Sequence, residues 1–231
     1  MKICGVQKLA MVDYPGKLAA TVFTGGCNLR CPFCHNALLV TRLSENPEEH
    51  SVGEVLDLLK KRRGLLDGVV LSGGEPLLQP DVAEFAAAVR ELGFAFKLDT
   101  NGTFPDRLQK LLEAGLLDYV AMDVKNCALR YAETVGVPDF DLAPVRESIA
   151  LLRGGAVPYE FRTTVVREFH TKDDLLAIGE WLRGAPQFYL QTFVDSGNLI
   201  GGGLSAYSSE EMRDFAGELR PYFGAVGLRG V

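Results

Sequence analysis

Long apolar runs are missing from this sequence. No stretch approaches the ~20 uncharged apolar residues that a membrane-spanning helix needs, and the opening residues, MKICGVQKLAMVDYPG, hold no apolar core of the kind a secretory signal carries. A cytoplasmic protein with no membrane partner is therefore expected. A basic excess is missing too: 24 Lys and Arg stand against 30 Asp and Glu, a formal net charge of -6 with both signs mixed along the chain. Nothing forms the cationic stripe that would track a phosphate backbone, so nucleic acid is not expected as a partner. Repeats, linkers and low-complexity stretches are also lacking, and 231 residues with 47% apolar composition suit one domain, 1–231. An even cysteine count is absent as well. Of the five cysteines, three fall within eight residues, which suits metal ligation in a reducing compartment better than a disulfide framework.

What is present is alternation. Strands are expected at about Leu18 to Phe23, Gly68 to Leu71, Phe94 to Leu98, Tyr119 to Met122, Tyr159 to Val165 and Phe188 to Gln191. Helices are expected at about Val52 to Arg62, Pro80 to Glu91, Pro105 to Ala114, Asp141 to Leu152 and Asp173 to Leu182, several opened by proline or an acidic residue. About six βα units in regular order predict an α/β fold with a parallel sheet, a barrel or incomplete barrel rather than separate domains. The stretch 195–209, holding Gly201, Gly202 and Gly203, reads as a mobile loop.

In such barrels function gathers at the carboxyl ends of the strands, and the polar oddities of this chain fall there. Cys27, Cys31 and Cys34 follow the first strand with three and then two residues between them. Cysteine thiolates hold iron–sulfur clusters, and three ligands would leave one iron of a cubane open, the mark of a catalytic metal site. A structural zinc ion completed by His35 is the alternative, although a histidine directly after Cys34 is poorly placed to share its tetrahedron. After the second strand come Ser72, Gly73, Gly74 and Glu75: two glycines that let backbone approach a ligand, and a carboxylate able to accept from an ammonium group. An ordinary strand-to-helix turn would read the same. Asp99, Thr100 and Asn101 end the third strand, and Asp123 and Lys125 the fourth, where Asp and Asn also serve as caps and turns. Arg162 on the fifth suits either a bidentate carboxylate grip or a structural ion pair. Cys4 and Cys127 read as buried thiols, too few for a second four-cysteine cubane.

Together, CNLRCPFC with an aromatic before its last cysteine and GGEP about forty residues on resemble the radical S-adenosyl-L-methionine (SAM) superfamily. CHN, DTNG and DVK extend the resemblance, over most of the chain, to the activating enzymes of glycyl-radical enzymes, which are partial (β/α)6 TIM-like barrels. Asp13-Tyr14-Pro15-Gly16-Lys17 is similar to a segment of the activators of anaerobic ribonucleoside-triphosphate reductase. The resemblance implies a 4Fe-4S cluster on Cys27, Cys31 and Cys34, with SAM on the fourth iron. It implies Phe33 and the His35 backbone near the adenine, Ser72, Gly73, Gly74 and Glu75 at the methionine ammonium, and Asp123 at the ribose. Lys125 would meet the methionine carboxylate, with Arg162 also among the cofactor-binding residues. Asp99, Thr100 and Asp123 would line a monovalent-cation site, and Asp13 and Asn101 would grip the peptide around a target glycine. The chain also departs from the pyruvate formate-lyase activators. Tyr14 and Leu18 stand where those have glycine and arginine, and residues 191–196 lack their late SAM-binding histidine, for which His170 is no obvious substitute.

The implied activity is reductive cleavage of SAM and abstraction of a glycine hydrogen from a glycyl-radical enzyme partner, an anaerobic ribonucleotide reductase, with flavodoxin or ferredoxin as electron donor. Two rival enzyme readings keep the cluster: a pyruvate formate-lyase-type activase, and a radical SAM enzyme acting on another peptide or a small molecule. A non-enzymatic zinc-binding module is the reading from another class, and it predicts a colourless protein indifferent to air.

Overall fold

A computed structural model describes residues 1–45 and 49–230. Eight strands form one sheet in sequence order: β1 (Ile3–Ala10), β2 (Ala19–Thr24), β3 (Gly68–Gly73), β4 (Ala95–Thr100), β5 (Tyr119–Asp123), β6 (Tyr159–Val165), β7 (Gln187–Thr192) and β8 (Ala225–Arg229). Strand β1 runs antiparallel to β2, and every later pairing is parallel. Among the described residues β8 does not pair with β1, so the sheet is open, a partial barrel.

Helices make the crossovers. They are α1 (Ala37–Val40) and α2 (Val52–Lys61) before β3, α3 (Val82–Glu91), α4 (Pro105–Glu113), α5 (Tyr131–Val135) with α6 (Ala143–Arg153), α7 (Lys172–Trp181) and α8 (Ser209–Leu219). Capping boxes start three of them, Ser51 with Glu54, Thr171 with Asp174 and Ser208 with Glu211, each closing two of the amide groups a helix start leaves open.

The six expected strands are β2 to β7. Strand β1 and the pair α8 and β8 lie outside that expectation. Strand β1 carries Gln7, Lys8 and Leu9 exposed in a row, the profile of an edge strand with no clean alternation. Helix α8 did carry a legible start, Ser208 three residues before Glu211.

Register explains the composition. Successive strand residues face opposite sides. Val69, Leu71, Phe96, Leu98, Val120, Met122, Phe161 and Phe188 point outward into one apolar core under the helices, each wholly buried. The alternate residues Thr21, Ser72, Asp99, Asp123, Arg162, Gln191 and Arg229 point inward and line a cavity of about 810 Å³. The core therefore lies between sheet and helices, and the barrel interior is polar. Tyr14 closes the amino end of the strands, packed on Ala19, Val70 and Tyr119, with its ring 3.0 Å from where a Cβ on Gly68 would stand.

Segment 193–208 is without helix or strand, and it is tied to the cysteine loop: the Gly201 amide donates to the Pro32 carbonyl at 2.8 Å. Phe96, wholly buried with its ring edge-on to Phe85 at 6.1 Å, anchors the outer layer. Phe96→Ala is expected to lower stability by about 3–5 kcal/mol, read as a fall in the urea midpoint at unchanged slope.

Candidate active site

The loop after β2 carries Cys27, Cys31 and Cys34, and all three line the cavity. It is a built loop. The Leu29 amide donates to Cys27 Sγ at 3.4 Å, the Asn101 side-chain amide reaches the same sulfur at 3.8 Å, and the Cys34 amide closes a turn on the Cys31 carbonyl at 3.0 Å. N–H groups aimed at sulfur are what tune an iron–sulfur centre. Burial pushes the Cys27 thiol up to about 11 and the Cys31 thiol up to about 12, with Lys125 pulling both back. Iron would take these groups as thiolates and release their protons.

The chemistry of the donor set fits a cubane: three cysteine side chains open onto one cavity, and a cubane takes each thiolate on a different iron.

The loops after β2 and β3 cross backbone on backbone. A Cβ on Gly74 would stand 2.0 Å from the Gly26 carbonyl oxygen, and one on Gly73, at φ +112°, would stand 2.4 Å from the Thr24 amide nitrogen. The Gly74 and Glu75 amides donate to Thr24 and Gly26 at 2.9 and 2.8 Å. Both glycines line the cavity, but what first requires them is this crossing.

Glu75 lies elsewhere than the sequence led us to expect. It is fully buried, outside the cavity lining, and accepts from the Leu77 amide at 2.9 Å, the Thr100 hydroxyl at 2.8 Å and the Asn101 amide at 2.7 Å. Its side chain joins the β3 and β4 loops instead of reaching for an ammonium group. Burial raises its pKa to about 7 in spite of those three donors.

A chain of alternating charges crosses the inner wall. Lys97, wholly buried, pairs with Asp99. Arg162 joins Asp99 at 3.2 Å to Asp123 at 2.8 Å, and Lys125 meets Asp123 at 3.0 Å. Ser72 donates to Asp99 at 3.2 Å. Burial alone would push both carboxyls up, but Arg162 with the lysines overcomes it and holds both below the usual range. The monovalent-cation site implied for Asp99, Thr100 and Asp123 is answered differently: Arg162 bridges the two carboxylates, and the Thr100 hydroxyl turns to Glu75.

Phe33, His35, Asp13 and Asn101 also line the cavity. Phe33 is buried with its ring centroid 5.7 Å from that of Phe169, and Asp13 accepts from Thr21 Oγ1 at 2.5 Å. Asn101 is held by Asn28 at 3.1 Å and accepts from the Thr103 amide at 3.0 Å. His170 stays out of the cavity, its Nε2 2.7 Å from the Lys125 carbonyl. Cys4 and Cys127 are buried, and the Cys127 thiol donates to Asp174 at 3.4 Å. Gln7, Thr164, Gln191 and Arg229 line the cavity without having been foreseen: Gln7 and Arg229 stand on β1 and β8, which were not expected as strands, and no local motif marks Thr164 or Gln191.

Comparison with known proteins bears on family and fold. A family model described as the radical SAM superfamily matches residues 21–182. A Methanocaldococcus jannaschii protein named as a glycyl-radical enzyme activating enzyme is 34% identical over 196 residues, covering 83% of this chain and 79% of that one. A pyruvate formate-lyase-activating enzyme of Staphylococcus aureus is 29% identical over 191 residues, 77% of this chain and 73% of the other. Among solved structures, Streptococcus suis SuiB bound to its precursor peptide SuiA superposes at TM-score 0.72 with 13% identity, over 91% of this chain. This chain spans 48% of SuiB. A domain of a Bacteroides vulgatus pyruvate-formate lyase-activating enzyme gives 0.57 with 17% identity, over 71% of this chain and 99% of that domain. At these identities the superpositions speak for the fold.

Two outcomes are expected. Arg162→Met leaves the half-buried Asp99 and Asp123 without their bridge, each still with its lysine, and should cost about 1–3 kcal/mol by urea unfolding. A carboxyl raised from 4.5 to about 7 on folding contributes stability that is full below about pH 4.5 and lost as pH rises through 7. The urea midpoint of the wild type should therefore fall between about pH 5 and pH 8 relative to that of Glu75→Gln, which has no such group to titrate.

Proposed function

Because the chain belongs to the radical SAM superfamily, and within it to the glycyl-radical enzyme activating enzymes, we propose that it activates an anaerobic ribonucleoside-triphosphate reductase by removing a hydrogen atom from one glycine α-carbon of that partner. It is an enzyme of the radical SAM type, and the family implies a 4Fe-4S cluster and SAM. The observation that carries the reading is that Cys27, Cys31 and Cys34 open onto the same cavity as Asp123, Lys125 and Arg162. The buried Tyr14 within the Asp13 to Lys17 segment supports the reductase branch.

In this reading Cys27, Cys31 and Cys34 hold the cluster. When bound, the cluster and SAM supply one-electron cleavage of a carbon–sulfur bond, giving methionine and a radical that takes a hydrogen atom. The chain binds, orients and excludes water. Lys125, kept charged by Asp123, is the cation for the methionine carboxylate. Asp123, held ionised by Arg162 and Lys125, accepts from the ribose hydroxyls. The carbonyls and amides around Ser72, Gly73 and Gly74 meet the methionine ammonium, while Glu75 fixes that loop from behind. Phe33 and the His35 backbone flank the adenine, and Asp13 and Asn101 meet the partner's peptide. A monovalent cation among Asp99, Thr100 and Asp123 would have to displace the Arg162 bridge. Flavodoxin or ferredoxin would supply the electron.

The test is anaerobic reconstitution with iron and sulfide, then dithionite and SAM, with 5'-deoxyadenosine followed by chromatography. The wild type should be brown and form product. Cys31→Ala should lose the visible absorption and at least 100-fold in product, in line with removal of a required group. A glycyl-radical doublet in the reductase's electron paramagnetic resonance spectrum would establish the partner. SAM cleavage with no such doublet would remove that partner, and a colourless protein with no cleavage would sink the reading.

A further inference from the structure

Three polar side chains share one ladder on the inner face of the last three strands. Thr164 on β6 stands beside Gln191 on β7, and Gln191 beside Arg229 on β8. All three line the cavity. Neighbouring strands are about 4.8 Å apart, so the row spans about 10 Å. One level deeper, the inward polar groups Asp99, Asp123 and Arg162 are committed to one another, and Lys125 joins them from the loop after β5. The upper row differs. Among the described residues neither the Gln191 amide nor the Thr164 hydroxyl has a hydrogen-bond partner.

Arg229 is held by Glu160 and Tyr189. Its two Nη atoms meet Glu160 at 2.8 and 3.0 Å, and its guanidinium lies 4.1 Å from the Tyr189 ring centroid. Tyr189 can lie there because Gly227 has no side chain: a Cβ would stand 2.4 Å from the ring. Glu160 is wholly buried and also accepts from the Tyr119 hydroxyl at 3.0 Å. The charge of Arg229 is thus already matched, and among the described residues its Nε–H has no partner. A charge-balanced guanidinium, a free amide and a free hydroxyl make a neutral row of donors and acceptors. Such a row matches the alternating N–H and C=O groups of a peptide main chain better than it matches an anion, for which Arg229 would have to leave Glu160.

Resting on the activase reading above, we propose that Thr164, Gln191 and Arg229 grip the main chain of the partner segment that carries the target glycine, with Gln191 pairing a peptide unit and Arg229 donating to a carbonyl oxygen. The row is a specificity element for an uncharged, unfolded glycine segment.

The test uses the reconstituted holoenzyme with SAM and a fluorescein-labelled, end-blocked heptapeptide of alanines around a central glycine, with binding followed by anisotropy. Gln191→Leu removes a group without a protein partner, and Arg229→Lys keeps a charge against Glu160, so both variants should fold. Each is expected to weaken peptide binding roughly ten-fold, the scale of one lost hydrogen bond, and excess acetate should not displace the peptide from the wild type. Binding to Gln191→Leu within two-fold of the wild type, absence of peptide binding to the wild type, or displacement by acetate would each overturn the proposal. Visible absorption and 5'-deoxyadenosine formation in the same samples separate the two readings. Their presence with unaltered peptide binding in the variants defeats only the row, whereas their absence from the wild type defeats the activase reading.

Discussion

Asp99 and Asp123 can both remain ionised inside the sheet only because Arg162 lies between them, with Lys97 and Lys125 at the two ends. Five charges in alternating order offset the desolvation that any one of them would suffer alone. The remainder of the barrel depends on this chain. It lets the inner face be polar over three strands, on the wall of the cavity, while the outer face supplies the apolar core. It also sets the electrostatics near the cysteine loop, where Lys125 opposes the burial that would keep the thiols protonated.

A second constraint is the crossing of the two loops above that chain. Gly74 against Gly26, Glu75 against Thr100 and Asn101, and Asn101 against Cys27 form one connected path from β3 through β4 to the sulfurs. The loop holding the cysteines is therefore placed by hydrogen bonds from two neighbouring strands as well as by its own turn. The Gly201 amide on the Pro32 carbonyl adds a third tie from the far side of the sheet. Preorganisation of this kind is what a site handling a reactive radical requires, since groups that move would admit water or the wrong hydrogen.

Much of the molecule was legible along the chain. Strands β2 to β7 announced themselves because their outer residues must be apolar and β-branched or aromatic to pack under helices. Strand β1 did not, since an edge strand with one solvent face can carry Gln7 and Lys8 without penalty. Helix α8 announced its start through Ser208 and Glu211, but its apolar face is short. Arg229 carried no signal: a single arginine near a chain end becomes part of a site only when β8 joins β7 and Glu160 is brought beneath it.

The sequence by itself determined that three cysteines share one loop, and it determined the family, because those depend on residues a few positions apart whose spacing survives any arrangement of the rest. Tertiary structure alone decided which charges meet, that Glu75 faces the neighbouring loop and not the cavity, and that Gly73 and Gly74 serve a backbone crossing before any ligand. It also decided that Thr164, Gln191 and Arg229 stand in one row. Those outcomes follow from strand register and burial, which join residues 25 to 70 positions apart, and no local pattern encodes the partner that burial will leave a charged group to find.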